Sequence, residues 1–123
     1  MAKVFLDTNK LIDIVENRRE ISVDVFDKHN LFISPLSTHI LLYTTKHKVP
    51  YEKLEKLMQE ISIVDFDQSI CYKSMEGPTE DFEDNVQLHS ASDADCDVFL
   101  TNDKRLLGLK FFGRTKIIQE FKN

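Results

Sequence analysis

The sequence predicts an α/β fold, a three-layer α/β/α sandwich built around a mostly parallel sheet. Two observations lead to this prediction: short apolar runs alternate with amphipathic stretches at helical spacing, and polar residues follow the apolar runs. The chain has 123 residues, of which 41% are hydrophobic and 30% are charged. Those values are typical of one globular domain, here residues 1–123. Binding sites of such sheets lie beyond the carboxyl ends of the strands, so the residues after each strand are the first functional candidates.

The first strand is predicted at Lys3–Leu6, a short apolar run that ends at Asp7. Thr8 or Asn9 can cap the helix that follows, because both side chains accept hydrogen bonds from the free backbone N–H groups of a first turn. The helix itself is indicated by apolar residues at helical spacing, which are Leu11, Ile12, Ile14 and Val15.

The middle of the chain is predicted to alternate between helix and strand as far as Gly77-Pro78, the clearest break in the sequence. Pro35 and Pro50 suit the first turns of two helices, since no backbone N–H is needed there. The predicted elements, in order, are a helix at Val23–His29, a strand at Leu31–Ser34, a helix from Pro35 with Leu36, Ile40, Leu41 and Tyr43 on one face, an amphipathic helix from Pro50, a strand at Ile61–Asp65 and a helix at Gln68–Met75.

Three elements are predicted after the break. Glu80–Ala94 is an acidic helix, and Asp97–Thr101 is an apolar strand that ends in polar residues. Lys116–Gln119 is a last strand, which follows a turn at Gly113. Asp103 would therefore follow a strand of the sheet, as Asp7 does.

The composition excludes several classes of protein. The longest uninterrupted apolar run is Ile40–Tyr43, which is far too short to span a membrane. The N-terminal M-A-K-V-F-L-D-T-N lacks the apolar stretch of a signal peptide. Cys71 and Cys96 do not form a C-x-x-C pair, so they indicate neither a disulfide framework nor a zinc site. The expected compartment is the reducing cytoplasm.

The net charge of −5 conceals an uneven distribution. Residues 104–123 carry six bases and one acid, whereas residues 65–97 carry ten acids and one base. A bound cation would relieve the repulsion among so many carboxylates, although an acidic surface exposed to water explains the same pattern. The basic segment also has two interpretations: it binds RNA backbone through Lys104 and Arg105 at the rim of the site, or it is a solvated edge.

Three carboxylates occupy informative positions: Asp7 after the first strand, Asp84 near the start of the acidic helix, and Asp103 after the late strand. Together they would form a cluster of hard oxygen ligands, which suits Mg²⁺ or Mn²⁺ better than zinc. Such ions would activate water and neutralise the charge that builds on a phosphate under attack. The polar neighbours that would orient ligands or water are Asn9, Thr101 and Asn102. Taken singly, each acid is as well explained as a helix cap.

Three segments resemble the motifs of PIN domains: V-F-L-D-T-N-K-L-I-D at 4–13, D-F-E-D-N-V at 81–86 and V-F-L-T-N-D at 98–103. Their order and spacing are similar to that family over nearly the whole chain, as is the length. PIN domains are metal-dependent ribonucleases, best known as toxins of VapBC-type toxin–antitoxin pairs. The resemblance implies that Mg²⁺ or Mn²⁺ is bound by Asp7, Asp84 and Asp103, with support from Asn9 and Thr101.

The resemblance leaves the choice of the third ligand open, and one acid of the family's pattern is missing from this chain. Asp81 is the alternative third ligand, but Asp84 is preferred because the Asn-Val after it is similar to the family's continuation into the helix. The glutamate usual in the helix after the second strand is missing, since its position in I-S-P-L-S-T-H-I-L-L-Y (33–43) is Ile40. His39 points about 100° away around the helix. It is interpreted as a surface or interface residue, because neutral imidazole suits Mg²⁺ poorly.

Other phosphoryl-transfer families are excluded by specific residues. Haloacid-dehalogenase-like phosphatases need a second aspartate where this chain has Asn9, and receiver domains need paired acids near the N-terminus. Neither G-x-x-x-x-G-K nor G-x-G-x-x-G occurs, so a nucleotide cofactor has no support. His89 is interpreted as structural or exposed and not catalytic. Four further side chains are interpreted as packed in the core, with no reactive or base-stacking role: Cys71, Cys96, Phe111 and Phe112.

The predicted function is a divalent-metal-dependent endoribonuclease that hydrolyses RNA phosphodiester bonds and, by resemblance, is the toxin of a toxin–antitoxin pair. The alternative is a PIN-like module that lost efficient catalysis with its glutamate and binds RNA or a protein partner. The apolar residues Leu41–Tyr43 and the helix from Pro50 exceed what one small sheet needs. By resemblance we expect a homodimer there, with an antitoxin in nearby grooves; burial inside the monomer is the alternative explanation.

Overall fold

The structure consists of a central β-sheet with helices on both of its faces. A computed structural model describes residues 1–16 and 28–121. Its strands are β1 (Lys3–Leu6), β2 (Asn30–Ile33), β3 (Ser62–Ile63), β4 (Val98–Leu100), β5 (Phe111–Phe112) and β6 (Thr115–Ile118). Its helices are α1 (Thr8–Val15), α2 (Pro35–Thr45), α3 (Glu52–Met58), α4 (Gln68–Glu76), α5 (Phe82–Asp93) and α6 (Lys104–Leu107). Within those two ranges, no helix has the length and apolar character needed to cross a bilayer.

The sheet has the strand order β3-β2-β1-β4-β6-β5, and every neighbouring pair is parallel except β5 with β6. The central strands β1 and β4 lie side by side, with Leu6 paired to Leu100 as the last residue of each. Their carboxyl ends therefore meet at one end of the sheet, where ligands bind in this class of fold. The predicted α/β/α sandwich with a mostly parallel sheet is confirmed.

Two apolar clusters fill the two faces of the sheet. Val4 and Leu6 belong to one cluster and Phe5 to the other, because successive strand residues point to opposite faces. Helices α1, α2 and α3 cover the first cluster, and α5 and α6 cover the second. Phe5 stacks on Phe99 of β4 with ring centroids 5.5 Å apart. Burying each such side chain stabilises the fold by about 1.5–3 kcal/mol and fixes β1 beside β4.

Helices α1, α5 and α6 each begin after an aspartate whose side chain accepts a backbone N–H: Asp7, Asp81 and Asp103. The prediction that Thr8 or Asn9 caps α1 is wrong. Asp7 has extended backbone, and its Oδ1 atom lies 2.7 Å from the Thr8 nitrogen. One carboxylate thus serves both the helix start and the candidate site.

Most of the other predicted elements are confirmed with small shifts at their ends. The helix predicted at Val23–His29 lies outside the described residues except for its last two positions. The strand expected at Ile61–Asp65 is only Ser62–Ile63, at the sheet edge, and the short elements α6 and β5 have no predicted counterpart. Leu41 is buried but Tyr43 is 78% exposed, so the prediction that they share one face of α2 is wrong.

Candidate functional site

Asp7 lies where β1 ends beside β4, and only 4% of the residue is exposed. Its backbone N–H donates to the Leu100 carbonyl at 2.9 Å. Its Oδ1 atom accepts from the Thr8 N–H at 2.7 Å, and its Oδ2 atom accepts from the Thr101 hydroxyl at 2.6 Å. Burial nevertheless raises the pKa of Asp7 above its usual value. The carboxylate is thus firmly oriented by Thr8 and Thr101, two partners that carry no charge.

Asp103 follows β4, and both of its carboxylate oxygens bind Arg105. Oδ1 accepts from the Arg105 backbone N–H at 2.8 Å, and Oδ2 accepts from Arg105 Nη2 at 3.2 Å. The Arg105 side-chain hydrogen bond is the main reason that the pKa of Asp103 lies below its usual value. The Asp103 N–H donates to Thr101 Oγ1 at 3.0 Å, so the Thr101 hydroxyl links Asp103 to Asp7.

Asp84 lies in the first turn of α5, with a side chain that is 13% exposed. Its Oδ2 atom is 3.6 Å from Arg105 Nη2. Burial raises the pKa of Asp84 to about 7, and repulsion from Asp81, Asp7 and Asp103 adds to this effect. The structure therefore brings the three predicted ligands together at one end of the sheet.

Asp81, the alternative third ligand, caps α5. Its Oδ1 atom accepts a hydrogen bond from the Asp84 N–H at 3.1 Å. Asp81 and Asp84 thus lie together at the N-terminus of this helix, and Asp84 is the one whose carboxylate reaches Arg105.

The chemistry of these donors fits a divalent cation. Carboxylate oxygens are preferred ligands of Mg²⁺ and Mn²⁺, and the raised pKa of Asp7 and Asp84 means that added positive charge would favour their ionised forms. The Arg105 guanidinium already lies between Asp84 and Asp103. Across the two described ranges, no group of three or more His, Cys, Asp or Glu side chains is arranged to hold a metal ion.

The predicted supporting residues take different positions. Thr101 is buried and contacts Asp7, as described above. Asn102 donates from Nδ2 to Asp13 at 3.0 Å, while its Oδ1 atom is buried and has no hydrogen-bond partner among residues 1–16 and 28–121. Asn9 and Lys104 are exposed to solvent. Of these residues, Thr101 is the one that fixes the position of the site acids.

Two residues missed by the sequence analysis, Glu83 and Gln87, complete the buried side of the site. Gln87 is fully buried; its Oε1 atom accepts from the Thr8 N–H at 3.0 Å, and its Nε2 atom donates to Thr8 Oγ1 at 2.9 Å and to Glu83 Oε1 at 3.3 Å. Thr8 Oγ1 donates to Ser37 Oγ at 3.1 Å. The signal was helical spacing, because Gln87 follows Asp84 by three residues and Glu83 by four.

The interpretation of His39 and His89 agrees with the structure. His39 is exposed and stacks on Tyr43 with ring centroids 6.2 Å apart. His89 Nε2 lies 2.8 Å from the Gly77 carbonyl, and its ring meets Phe112 edge-on. His89 therefore joins the second half of α5 to the preceding break and to β5.

The cysteines and the Phe111-Phe112 pair are partly as predicted. Cys96 is fully buried, and burial raises the pKa of its thiol to about 12, which makes a thiolate unavailable at neutral pH. Cys71 is half-buried. Phe112 packs against the second apolar cluster, but Phe111 is 57% exposed, so the prediction of a core role is wrong for Phe111.

No protein-family model matches the sequence, and no curated protein matches it. Among solved structures, the chain is similar to one described as the crystal structure of VapBC2 from Rickettsia felis bound to a DNA fragment from their promoter. The likeness covers 94% of this chain and 97% of the other, with a TM-score of 0.69 and 14% sequence identity. It shows that the chain has a VapC-like fold, and activity has to be argued from the site itself.

Proposed function

We propose that the protein is a divalent-metal-dependent endoribonuclease in which Mg²⁺ or Mn²⁺ is held by Asp7, Asp84 and Asp103. The main support is the position of Asp7, a carboxylate 4% exposed at the meeting carboxyl ends of β1 and β4. Burying an acid beside other acids costs free energy, and an exposed cap would start α1 without that cost. A divalent cation would offset this repulsion, so metal binding would explain why Asp7 is buried. The VapC-like fold adds independent support.

The bound ion would activate water and neutralise negative charge on the phosphate. The residues of the chain have separate tasks around it. The Thr101 hydroxyl joins Asp7 to the Asp103 backbone and so sets the spacing of these two carboxylates. The Arg105 side chain is 75% exposed and can turn outward to an RNA phosphate, with exposed Lys104 beside it. Contacts of this kind position a backbone without reading its sequence.

We further propose that the protein is the toxin of a toxin–antitoxin pair and acts in the cytoplasm with an antitoxin as partner. The fold likeness to a VapBC2 structure supports this partner. For a homodimer, we propose the surface at the end of α2, where Tyr43 is 78% and Val49 is 76% exposed. Large apolar side chains in such positions favour contact with another protein.

A PIN-like module without efficient catalysis is the second candidate, and two observations favour it. Ile40 provides no carboxylate on α2. The Arg105 guanidinium already supplies positive charge to Asp84 and Asp103, at 3.6 and 3.2 Å. In this alternative the acids pair with the chain's own Arg105, and the protein binds RNA or a partner without cutting.

The deciding experiment is cleavage of a mixed, structured RNA pool with Mn²⁺, Mg²⁺ or a chelator. Asp7→Asn and Asp84→Asn should lower metal-dependent cleavage by about 100-fold or more, beyond the loss typical of residues that only support a ligand. The matched control is Asp65→Asn, which neutralises an exposed acid of the same acidic stretch. Cleavage by folded wild-type protein that does not exceed cleavage by Asp7→Asn would rule out the enzyme for general RNA and leave the second candidate.

A further inference from the structure

The hairpin formed by β5 and β6 has one face turned into the protein and one turned to solvent. Phe112 and Thr115 are paired in register on the inner face, where Phe112 packs on the second apolar cluster and Thr115 is 1% exposed. Phe111 is paired with Lys116 in the same ladder. Opposite residues of an antiparallel pair share a face, so these two side chains lie together on the outer face. Phe111 is 57% exposed, and Lys116 is exposed as well.

The backbone before β5 holds this outer face in place. Lys110 has a φ of 66°, and a left-handed backbone of this kind costs a residue with a Cβ atom about 1–2 kcal/mol. The Lys110 carbonyl accepts a hydrogen bond from the Ile117 N–H at 2.9 Å. The Phe111 N–H donates to the Leu109 carbonyl at 2.8 Å. The turn from α6 into β5 is therefore tied to β6, and it brings exposed Lys110 directly before Phe111.

The segment that contains the hairpin is strongly basic. Residues 104–119 carry five bases and no acid. Lys110 precedes Phe111 and Lys116 lies opposite it, so cations surround an accessible aromatic ring. Lysines bind the phosphates of a nucleic acid, and an exposed ring stacks on an unpaired base. An acidic protein would also bind the lysines, but it has no base to stack on the ring.

The hairpin is also close to the candidate site. Phe111, Lys116 and Val98 are aligned in one row across β5, β6 and β4. Since β4 ends two residues after Val98, ordinary strand spacings put Phe111 about 12 Å from the end of β4. A few nucleotides of a single strand span this distance, and they would pass exposed Lys104 at the start of α6.

We propose that the outer face of the β5–β6 hairpin binds single-stranded RNA, with a base stacked on Phe111 and phosphates bound by Lys110 and Lys116. The inference rests on the proposed function for the identity of the strand, because RNA is the substrate proposed there. It adds a contact that would hold the RNA a few nucleotides away from the bond that is cut. Arg114 is left out of this surface, because its guanidinium lies 3.9 Å from Asp97.

The chain contains no tryptophan, so Phe111→Trp would place a single indole at the proposed stacking position. Its fluorescence should fall by about half or more when single-stranded RNA is titrated at low salt, because the indole would stack on a base. A chelator in the buffer keeps the RNA from being cut. The matched control is Tyr72→Trp, which places the indole on α4 at an aromatic residue that is 65% exposed. Its fluorescence should not change.

The affinity for the same RNA, measured by fluorescence anisotropy, gives a second readout. Phe111→Leu keeps an apolar side chain without the ring and should raise the Kd about fivefold or more, which corresponds to about 1 kcal/mol for one stacked base. Lys116→Gln should reduce the salt dependence of log K by about 0.7, as expected for one lost phosphate contact. Lys53→Gln, at an exposed lysine of α3, is the matched control and should leave it unchanged. These side chains are exposed, so all the variants should melt close to the wild-type temperature.

Three results would contradict the inference. If RNA binds while Phe111→Trp fluorescence and the Kd of Phe111→Leu both match the controls, the RNA lies elsewhere, and the proposed nuclease is unaffected. If Phe111→Leu changes the oligomeric state in sedimentation and leaves the Kd unchanged, Phe111 belongs to a protein interface. If folded wild-type protein neither binds nor cuts RNA, the failure lies with the proposed function.

Discussion

The candidate site has an inner and an outer side that are built from different interactions. The inner side consists of residues that are at most 4% exposed: Asp7, Thr8, Gln87 and Thr101. On the outer side, Asp84 and Asp103 meet Arg105, whose side chain is 75% exposed. Buried hydrogen bonds are costly to break, whereas exposed ion pairs are weak and screened by salt. The inner side therefore fixes the position of Asp7, and the Arg105 ion pairs of the outer side are the weaker contacts of the site.

The largest expected effect comes from breaking the inner side. Gln87→Leu removes both hydrogen bonds to Thr8 and should lower the free energy of unfolding by about 2–3 kcal/mol, because buried polar groups lose their partners. Urea denaturation would measure this loss. The control is Gln68→Leu, which removes an exposed contact to Tyr72 and should cost less than about 0.5 kcal/mol. Equal losses of unfolding free energy in the two variants would show that the buried hydrogen bonds of Gln87 stabilise the fold no more than an exposed contact does.

A smaller effect should appear as a pH dependence that comes from Asp84. Its folded-state pKa of about 7 lies above the value of 3.8 expected in the unfolded chain, so the folded protein binds the proton more tightly. The stability of the metal-free protein should therefore fall as pH rises from about 5 to 7.5, by about 2 kcal/mol after screening by water is included. Asp103 titrates below this window, because its pKa is lowered.

Denaturation at a series of pH values would test this slope in the wild type and in Asp84→Asn. The slope should be smaller in the variant, which has no carboxyl group at this position, while Asp7 and Glu83, whose pKa values are also raised, still contribute. Saturating Mg²⁺ should flatten the wild-type slope as well, because the cation favours the ionised acid. A slope as steep in Asp84→Asn as in the wild type would assign the titration to another group.

The smallest effect is expected from a substitution of Arg105, on the outer side of the site. Arg105→Ala removes the guanidinium that competes with a metal ion, so Mn²⁺ should bind more tightly while RNA binding at low salt weakens. Arg114→Ala is the matched control, because this exposed arginine pairs with Asp97 at 3.9 Å away from the site acids. Weaker Mn²⁺ binding by Arg105→Ala would mean that the arginine holds the acids in place and does not compete with the ion.

The central strands β1 and β4, and the placement of Asp7 and Asp103 directly after them, were predictable from the sequence. Apolar runs followed by Asp7 and Asp103 indicate buried parallel strands, and parallel pairing brings the carboxyl ends of such strands together. The identity of the α1 cap was not predictable, because three neighbouring residues, Asp7, Thr8 and Asn9, all suit a helix start.

The inner side of the site was much harder to predict. In the sequence, Glu83 and Gln87 are two polar residues in an acidic helix, where a solvated face is the ordinary interpretation. Their role depends on the packing of α5 against the start of α1, which buries Gln87 and turns it toward Thr8. Tyr43 and Phe111 are the opposite case, apolar residues that are exposed. Helical or strand spacing alone does not reveal which apolar residues remain exposed.

The two outermost strands of the sheet, β3 and β5, contain two residues each. Edge strands are where sheets of different molecules join, since their outer N–H and C=O groups are unpaired. Edges this short give an incoming strand almost no ladder to extend. An incoming strand therefore finds little backbone to pair with at either edge, which disfavours edge-to-edge association of the sheet.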